Sequence, residues 1–381
     1  MHKPNILFLE CGSSGHGGSF RSLKEHIEIV RDQFAVVIIV LVNDSVFEEV
    51  YKKLDCLVIK LSHPLYTKGA RLLGLYNKGF GLIRRITPSL IPSYQAVIER
   101  RFINQLSHLI DKYEIDLIHL NNQPLRNYAG FIAAQKKQIN VIAHIRTLHT
   151  YGINKYLIKN ITRNHPQFIA ISHAVQQEWK QYGIDSTVVY NPVAVNHTVH
   201  TGITKKYDLI YVGRLVKGKG VESLIAALAR LNGTITLAIV GDGPLQKKLI
   251  EQVHTYQLNR YITFLGYQND PLTYIAQSRI LVLPTENEGL GRVLIEAMKI
   301  GVPVIANRTG GVGEIVEHKV TGFLYDSSIA GDLESKIVEL LDSPTKLEQF
   351  SITGRDYANT KFSSALYVKQ INLIISTLLS R

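Results

Sequence analysis

The sequence predicts an α/β protein of two domains, each a parallel sheet wrapped by helices. Three observations carry this. At 381 residues the chain exceeds the roughly 250–300 at which a single core stops growing. Short apolar runs of strand character alternate with helical patterns along most of its length, as they do in sheets with crossover helices. Glycine-bearing turns leave several of these runs, at 11–18, 213–220 and 240–244, where open α/β sheets take their ligands.

Residues 5–10 form the first buried run. They lead into a turn carrying Gly12, Gly15, Gly17 and Gly18, after which Ser19 can cap a helix to about residue 31. Phosphate sites are built from a strand, a glycine loop and a helix in this order; a tight turn without a ligand has the same composition. The glycine spacing matches neither a P-loop nor a dinucleotide fingerprint. Further strand-like runs follow at 34–42, 57–61, 116–120, 141–145, 168–171 and 188–190. A helix is expected over 173–182 with Ser172 as its N-cap. Asn191 and Pro192 stop the last run, and the polar stretch 196–206 reads as a linker.

One segment breaks the alternation. Between Asp55 and Glu99 there is no acidic residue, while Lys60, Lys68, Arg71, Lys78, Arg84 and Arg85 are interleaved with leucines, Tyr76, Phe80 and Ile83. A basic amphipathic stretch of this kind suits an anionic membrane surface, or else packs its own apolar side chains as a solvated insertion. No nucleic-acid-binding module accompanies it.

The second half repeats the pattern, with strands expected at 208–212, 235–241, 262–265, 280–284 and 302–306. The turn 213–220 carries Arg214, Lys217 and Lys219 among Gly213, Gly218 and Gly220. Glycine lets a backbone approach a phosphate, and Arg214 and Lys219 can supply countercharge. A second such turn holds Gly241, and a third Gly310 and Gly311. After the run 280–284, Glu288 precedes Gly289, Leu290 and Gly291, and Glu296 lies in the helix that follows. Eight residues at about 1.5 Å each span about 12 Å, similar to a nucleotide sugar from ribose to sugar ring. Helix N-terminal N–H groups between the two glutamates would seat a diphosphate. An apolar helical pattern at 366–379 closes the chain and is expected to cross back to the first domain.

Composition narrows the class. Hydrophobic residues at 45% and charged residues at 19% describe a globular protein. No run approaches the roughly 20 apolar residues of a membrane span, and the start lacks a secretory pattern, so a cytoplasmic location is expected. Cys11 and Cys56 have neither metal-ligand nor redox spacing. The net charge of +12 is uneven: residues 1–200 hold 23 lysines and arginines against 14 carboxylates, residues 201–381 hold 20 against 17.

Together, Gly213-Arg214 with Lys219-Gly220, Val240-Gly-Asp-Gly-Pro244, Glu288-x7-Glu296, and Thr309-Gly-Gly with Thr321-Gly-Phe-Leu make the chain resemble glycosyltransferase family 4. The resemblance covers nearly the whole length and is most specific in the second half. It implies two facing Rossmann-like domains, the GT-B fold, with a cleft between them: an acceptor-side domain at 1–195, a nucleotide-sugar domain at 206–363, and a returning helix at 364–381. It implies a retaining transfer of a sugar from a nucleoside diphosphate sugar to an acceptor hydroxyl, without an essential metal or cofactor; no Asp-x-Asp occurs in the chain.

By the same resemblance, Arg214 and Lys219 grip the diphosphate, Glu296 takes the ribose hydroxyls and Glu288 contacts the transferred sugar. Gly213, Gly241, Gly289, Leu290 and Gly291 line the donor seat, and Leu290 stands where the family usually has phenylalanine. In the first half, Gly17 and Gly18 face the substrates, and His144 or His149 faces the sugar. The expected acceptor is a saccharide or lipid-linked saccharide in bacterial surface polysaccharide or glycolipid synthesis, with the enzyme peripheral on the inner face of the membrane and no nucleic-acid partner. The alternatives are a same-fold epimerase or phosphorylase, or a non-catalytic subunit that binds nucleotide sugar.

Overall fold

A computed structural model describes residues 3–11, 18–42, 48–67, 73–148, 153–195, 203–231 and 234–380. The chain divides into two compact units, Met1–Pro192 with Tyr367–Arg381, and Val193–Leu366.

The first unit holds seven parallel strands: β1 Ile6–Glu10, β2 Val37–Leu41, β3 Leu57–Lys60, β4 Leu117–Asn122, β5 Asn140–Ile145, β6 Gln167–Ala170 and β7 Thr187–Val188. Their order is β3-β2-β1-β4-β5-β6-β7. Strands β1 and β2 are buried along their whole length, which is why they read as unbroken aliphatic runs rather than alternating ones. The strand order reverses direction between β1 and β4, and in such sheets the ligand crevice opens at the carboxyl ends beside that point. In register there, Glu10 lies beside Asn121 and Asn121 beside His144.

The helix Gly18–Val30 packs Phe20, Leu23 and Ile27 onto this sheet. Ser19 lies inside the helix, not at its cap, because the helix already begins at Gly18. Ser172 does cap His173–Lys180, its Oγ accepting from the Val175 N–H at 3.1 Å. The chain returns to this unit at Tyr367. Tyr367, Ile371, Ile375 and Leu378 form one helical stripe in the same core as β1 and β2. The stretch Pro344–Leu379 is long and apolar enough to cross a membrane; the buried stripe accounts for Tyr367, Ile371, Ile375 and Leu378, while Leu366 and Leu373 are exposed.

The segment outside the alternation forms the helices Leu73–Ile86 and Ile91–Ile98. They pack closely where Gly79 meets Tyr94: a Cβ on Gly79 would come 2.2 Å from the Tyr94 hydroxyl. Tyr76 stacks on Tyr94 with ring centroids 5.9 Å apart. Leu82, Ile86, Leu90 and Val97 stay exposed, Ile86 at 71% and Val97 at 68%. Lys68 and Arg71 lie outside the described residues.

The second unit holds β8 Tyr207–Val212, β9 Leu237–Val240, β10 Ile262–Gly266, β11 Ser278–Leu283, β12 Val304–Asn307 and β13 Phe323–Tyr325, in the parallel order β10-β9-β8-β11-β12-β13. The reversal falls between β8 and β11. Strand β13 was not expected from the sequence; at three residues it is too short to carry a periodicity, and its pairing with β12 defines it. The core gathers Leu209, Tyr211, Leu224, Ile239, Val282 and Phe350 among others. On the helix Arg292–Lys299, Lys299 is buried, and its Nζ donates to the Val193 and Phe362 carbonyls at 2.7 and 2.9 Å. Both carbonyls lie where the chain enters and leaves this unit, so one ammonium fixes both.

Candidate active site

In the second unit, three turns meet at the carboxyl edge of the sheet through backbone bonds and glycine contacts. Gly213 N–H donates to the Val240 carbonyl at 3.0 Å, and Leu215 N–H to the Asp242 carbonyl at 2.7 Å, joining the turn after β8 to the one after β9. Gly241 has φ +134°, and a Cβ there would lie 1.9 Å from the Gly213 carbonyl oxygen, so only glycine lets these turns approach. Gly220, at φ +72°, stands against Pro284 in the same way, with 2.0 Å left for a Cβ. Glu286 N–H donates to the Gly218 carbonyl at 2.9 Å, tying the basic turn to the loop after β11.

That juxtaposition brings Lys219 Nζ to 2.8 Å from Glu288 Oε2. Both side chains are about a quarter exposed, at 26% and 20%, so the pair is reachable from solvent. Arg214 is exposed in the same turn. Gly291, in the left-handed region at φ +90°, starts the helix Arg292–Lys299, and no side chain caps it. An uncapped first turn leaves N–H donors for a ligand. Leu290 is buried at 3% exposure and fills an apolar slot, and Gly289 continues the turn. The Gly311 N–H donates to the Glu288 carbonyl at 2.9 Å, so the turn after β12 braces the glutamate's backbone. One turn into the helix, Glu296 accepts from Arg292 Nε at 2.8 Å.

Lys219, Glu288, Gly213, Gly241 and the 289–291 turn thus lie on one connected set of loops, and Glu296 lies on the helix they start. Two links were not read from the sequence. Lys219 and Glu288 were assigned to different parts of a donor, yet they touch each other; 69 residues separate them and no spacing signals the pair. Arg292 was not singled out, although its (i, i+4) placement before Glu296 is a recognisable pairing.

In the first unit, the carboxyl ends of β1, β4 and β5 carry a buried polar cluster. Arg146 Nε donates to Asn121 Oδ1 at 2.6 Å, Nη1 donates to Asn191 Oδ1, and Nη2 lies 3.3 Å from His144 Nδ1. Asn121 Nδ2 donates to the Glu10 carboxylate. His144 is 1% exposed, and its ring stacks against His119 with centroids 5.6 Å apart. His26, on the helix Gly18–Val30, lies edge-on to both. Burial, with the neighbouring Arg146 charge, holds the pKa of His144 well below the usual imidazole value, and burial does the same for His119. His26 falls to about 3, again through burial and then Arg146. Gly18 opens its helix, while Gly17 and His149 lie outside the described residues. Among the described residues, no group of three or more His, Cys, Asp or Glu stands together as a metal-ion site.

The edge of the second unit, with glycine turns, Arg214, Lys219 and the carboxylates Glu288 and Glu296, suits a charged ligand with hydroxyl groups. Comparison with known proteins gives the class. The family described as Glycosyltransferase Family 4 matches residues 29–197, and the family described as Glycosyl transferases group 1 matches residues 196–357. An uncharacterized glycosyltransferase of Methanocaldococcus jannaschii is 30% identical over 271 residues, 67% of this chain and 74% of that protein. The chain belongs to glycosyltransferase family 4. The transferase is also 26% identical to the capsular polysaccharide biosynthesis glycosyltransferase CapM of Staphylococcus aureus, over 47% of this chain and 48% of that protein. Among solved structures, Anabaena HepE in complex with UDP-glucose superposes with a TM-score of 0.79 at 22% identity, covering 98% of this chain and 99% of that one. That likeness establishes the GT-B fold.

Proposed function

We propose that the transferase moves a sugar from a nucleoside diphosphate sugar, with retention of anomeric configuration, to a saccharide or lipid-linked saccharide acceptor in bacterial surface polysaccharide or glycolipid synthesis. The observation that carries this is the Lys219–Glu288 pair beside the uncapped helix start at Gly291. Cleaving the bond between sugar and diphosphate develops negative charge on the leaving group, and fixed cations and helix N–H groups lower that barrier. A diphosphate competes with Glu288 for the Lys219 ammonium. Once Lys219 turns to the phosphate, the Glu288 carboxylate is free to accept from sugar hydroxyls. Glu296, held by Arg292, takes the ribose hydroxyls; Arg214 adds charge at the diphosphate; His144 contacts the transferred sugar. Arg214 and Lys219 carry the leaving-group charge without a divalent metal.

The two glutamates are clamps on the donor and not a hydrolase pair, in which two carboxyls flank one bond about 5–9.5 Å apart. The relationship to a capsular polysaccharide transferase supports a surface-polymer acceptor. The exposed apolar and basic side chains of Leu73–Ile86, with exposed Val97 on Ile91–Ile98, support peripheral attachment to the inner face of the membrane.

The test is turnover of radiolabelled UDP-, GDP- and ADP-sugars with lipid-linked acceptors in the presence of EDTA. Lys219→Ala and Glu288→Ala should each lower kcat by about a hundredfold or more, with the circular dichroism and thermal midpoint retained. The product should keep the donor's anomeric configuration by proton NMR. Full activity in both variants, or an inverted product, overturns the reading.

A further inference from the structure

His144 offers one free ring nitrogen and one that is spoken for. Arg146 Nη2 lies 3.3 Å from His144 Nδ1. A guanidinium has only donors, so the Nδ1 facing it is a lone pair, and a neutral ring then carries its proton on Nε2. Nε2 is buried and has no hydrogen-bond partner among the described residues. Leaving an N–H donor unpaired in the interior is costly, and bound sugar oxygen would relieve that cost.

The guanidinium that sets this arrangement is itself fixed. Arg146 is 7% exposed, and its other donors go to Asn121 Oδ1 and Asn191 Oδ1. Asn121 is oriented in turn by its own donation to Glu10. The Tyr367 hydroxyl lies 2.7 Å from His26 Nδ1. The groups facing His144 are therefore Arg146, His119 from β4 and His26 from Gly18–Val30, with Tyr367 from Ser364–Leu379 behind His26 and Glu10 reaching Arg146 through Asn121.

We propose that Arg146 is a positioning residue for the transfer: by donating to His144 Nδ1 it fixes the tautomer that presents Nε2–H as a donor to an oxygen of the transferred sugar. This rests on the reading of His144 as the residue facing the sugar. Burial, with the Arg146 charge added to it, keeps the ring neutral, so that it donates one hydrogen bond without adding a cation beside a sugar ring that becomes positive in the transition state. No proton leaves the ring.

The full-length protein labelled with 15N-histidine tests the tautomer directly. Nitrogen–proton correlation should show the His144 proton on Nε2 and Nδ1 as a bare, hydrogen-bonded nitrogen; assignment comes from the loss of that signal in His144→Ala. A wild-type spectrum with the proton on Nδ1 overturns the proposal by itself, even where a variant fails to fold. Arg146→Met should give mixed tautomers and lower kcat by about ten- to a hundredfold, the range expected for one buried hydrogen-bond partner lost, with a smaller change in donor KM. Its kcat/KM profile should gain an acidic limb as loss of the Arg146 charge lets the His144 pKa rise, with burial still holding it below the ordinary imidazole value. Arg146→Lys, which restores a cationic donor, should recover part of kcat and remove the limb. An Arg146→Met protein with the wild-type tautomer and pH profile overturns the proposal. Full activity in His144→Ala instead rejects the assignment of His144 to the sugar and leaves the spectral result standing, so the two failures are distinguishable.

Discussion

Three imidazoles, His26, His119 and His144, lie in the interior of the first unit with at most 1% exposure, and burial keeps all three unprotonated. The consequence for stability has a definite sign. Each folded-state pKa lies below the unfolded value of about 6.5, so the unfolded chain binds more protons and stability falls as the solution becomes acidic. The contribution is fully present above pH 6.5 and is lost as pH falls from there toward about 3, the value of His26. Each histidine adds a slope approaching about 1.4 kcal/mol per pH unit. Urea unfolding at pH 7.5 and 5.0 should show a loss that shrinks by about 1 kcal/mol or more in His119→Phe, which replaces the ring with an apolar one of similar shape. An unchanged pH dependence in that variant would mean that His119 is protonated in the folded state. None of this was legible in the sequence, where His119 is one polar letter in an apolar run; the rings against it, His144, His26 and Phe8, come from other elements, 25 to 111 residues away.

At the level of elements, the alternation of apolar runs was enough to locate most strands to within a few residues, because strands buried on both faces are continuous runs of Val, Ile and Leu. It failed where an element is defined by pairing alone, as in Phe323–Tyr325. The glycine turns were visible as sequence, but which glycines are obligatory was not. Gly241 and Gly331 show the difference. Both have positive φ, at +134° and +80°, but only Gly241 has a backbone oxygen, that of Gly213, within 2 Å of a Cβ; Gly331 has open space. Gly331→Ala should therefore cost about 1 kcal/mol of backbone strain. Gly241→Ala should cost about 3 kcal/mol or more and separate the turns that carry the donor loops. Urea midpoints of the two variants, with donor binding by calorimetry, check this. Equal losses in both would show that φ alone matters at these positions.

For the whole molecule, the excess of positive charge has a location and a surface. Most of the +12 belongs to residues 1–200, and within them the helix Leu73–Ile86 presents exposed Lys78, Arg84 and Arg85, and Arg100 and Arg101 are exposed just after Ile91–Ile98. Leu82 and Ile86, four residues apart, lie on one face of the first helix, and Leu90 and Val97 are exposed in the segment that follows. The sequence showed this composition but left membrane contact and self-packing equally open; the two helices pack on each other through Gly79, Tyr76 and Tyr94, and these four apolar side chains remain outside that packing. Cations and apolar side chains act differently on a bilayer. Each basic residue near an anionic surface contributes about 1 kcal/mol and is screened by salt, whereas buried apolar area is not. Flotation with phosphatidylglycerol-containing vesicles should therefore recover the protein at low salt and much less at 0.5 M, and phosphatidylcholine vesicles should recover little. Replacing Lys78, Arg84, Arg85 and Arg100 by Gln should weaken binding by about 4 kcal/mol, roughly a thousandfold. Leu82→Ser with Ile86→Ser should remove the part that survives salt. Activity on a soluble acceptor should stay unchanged in both sets, because none of these residues lies among the donor loops or the buried histidines. Binding that ignores lipid charge, or a concentration-dependent dimer abolished by Ile86→Ser, would assign the surface to a second copy of the chain and not to the membrane.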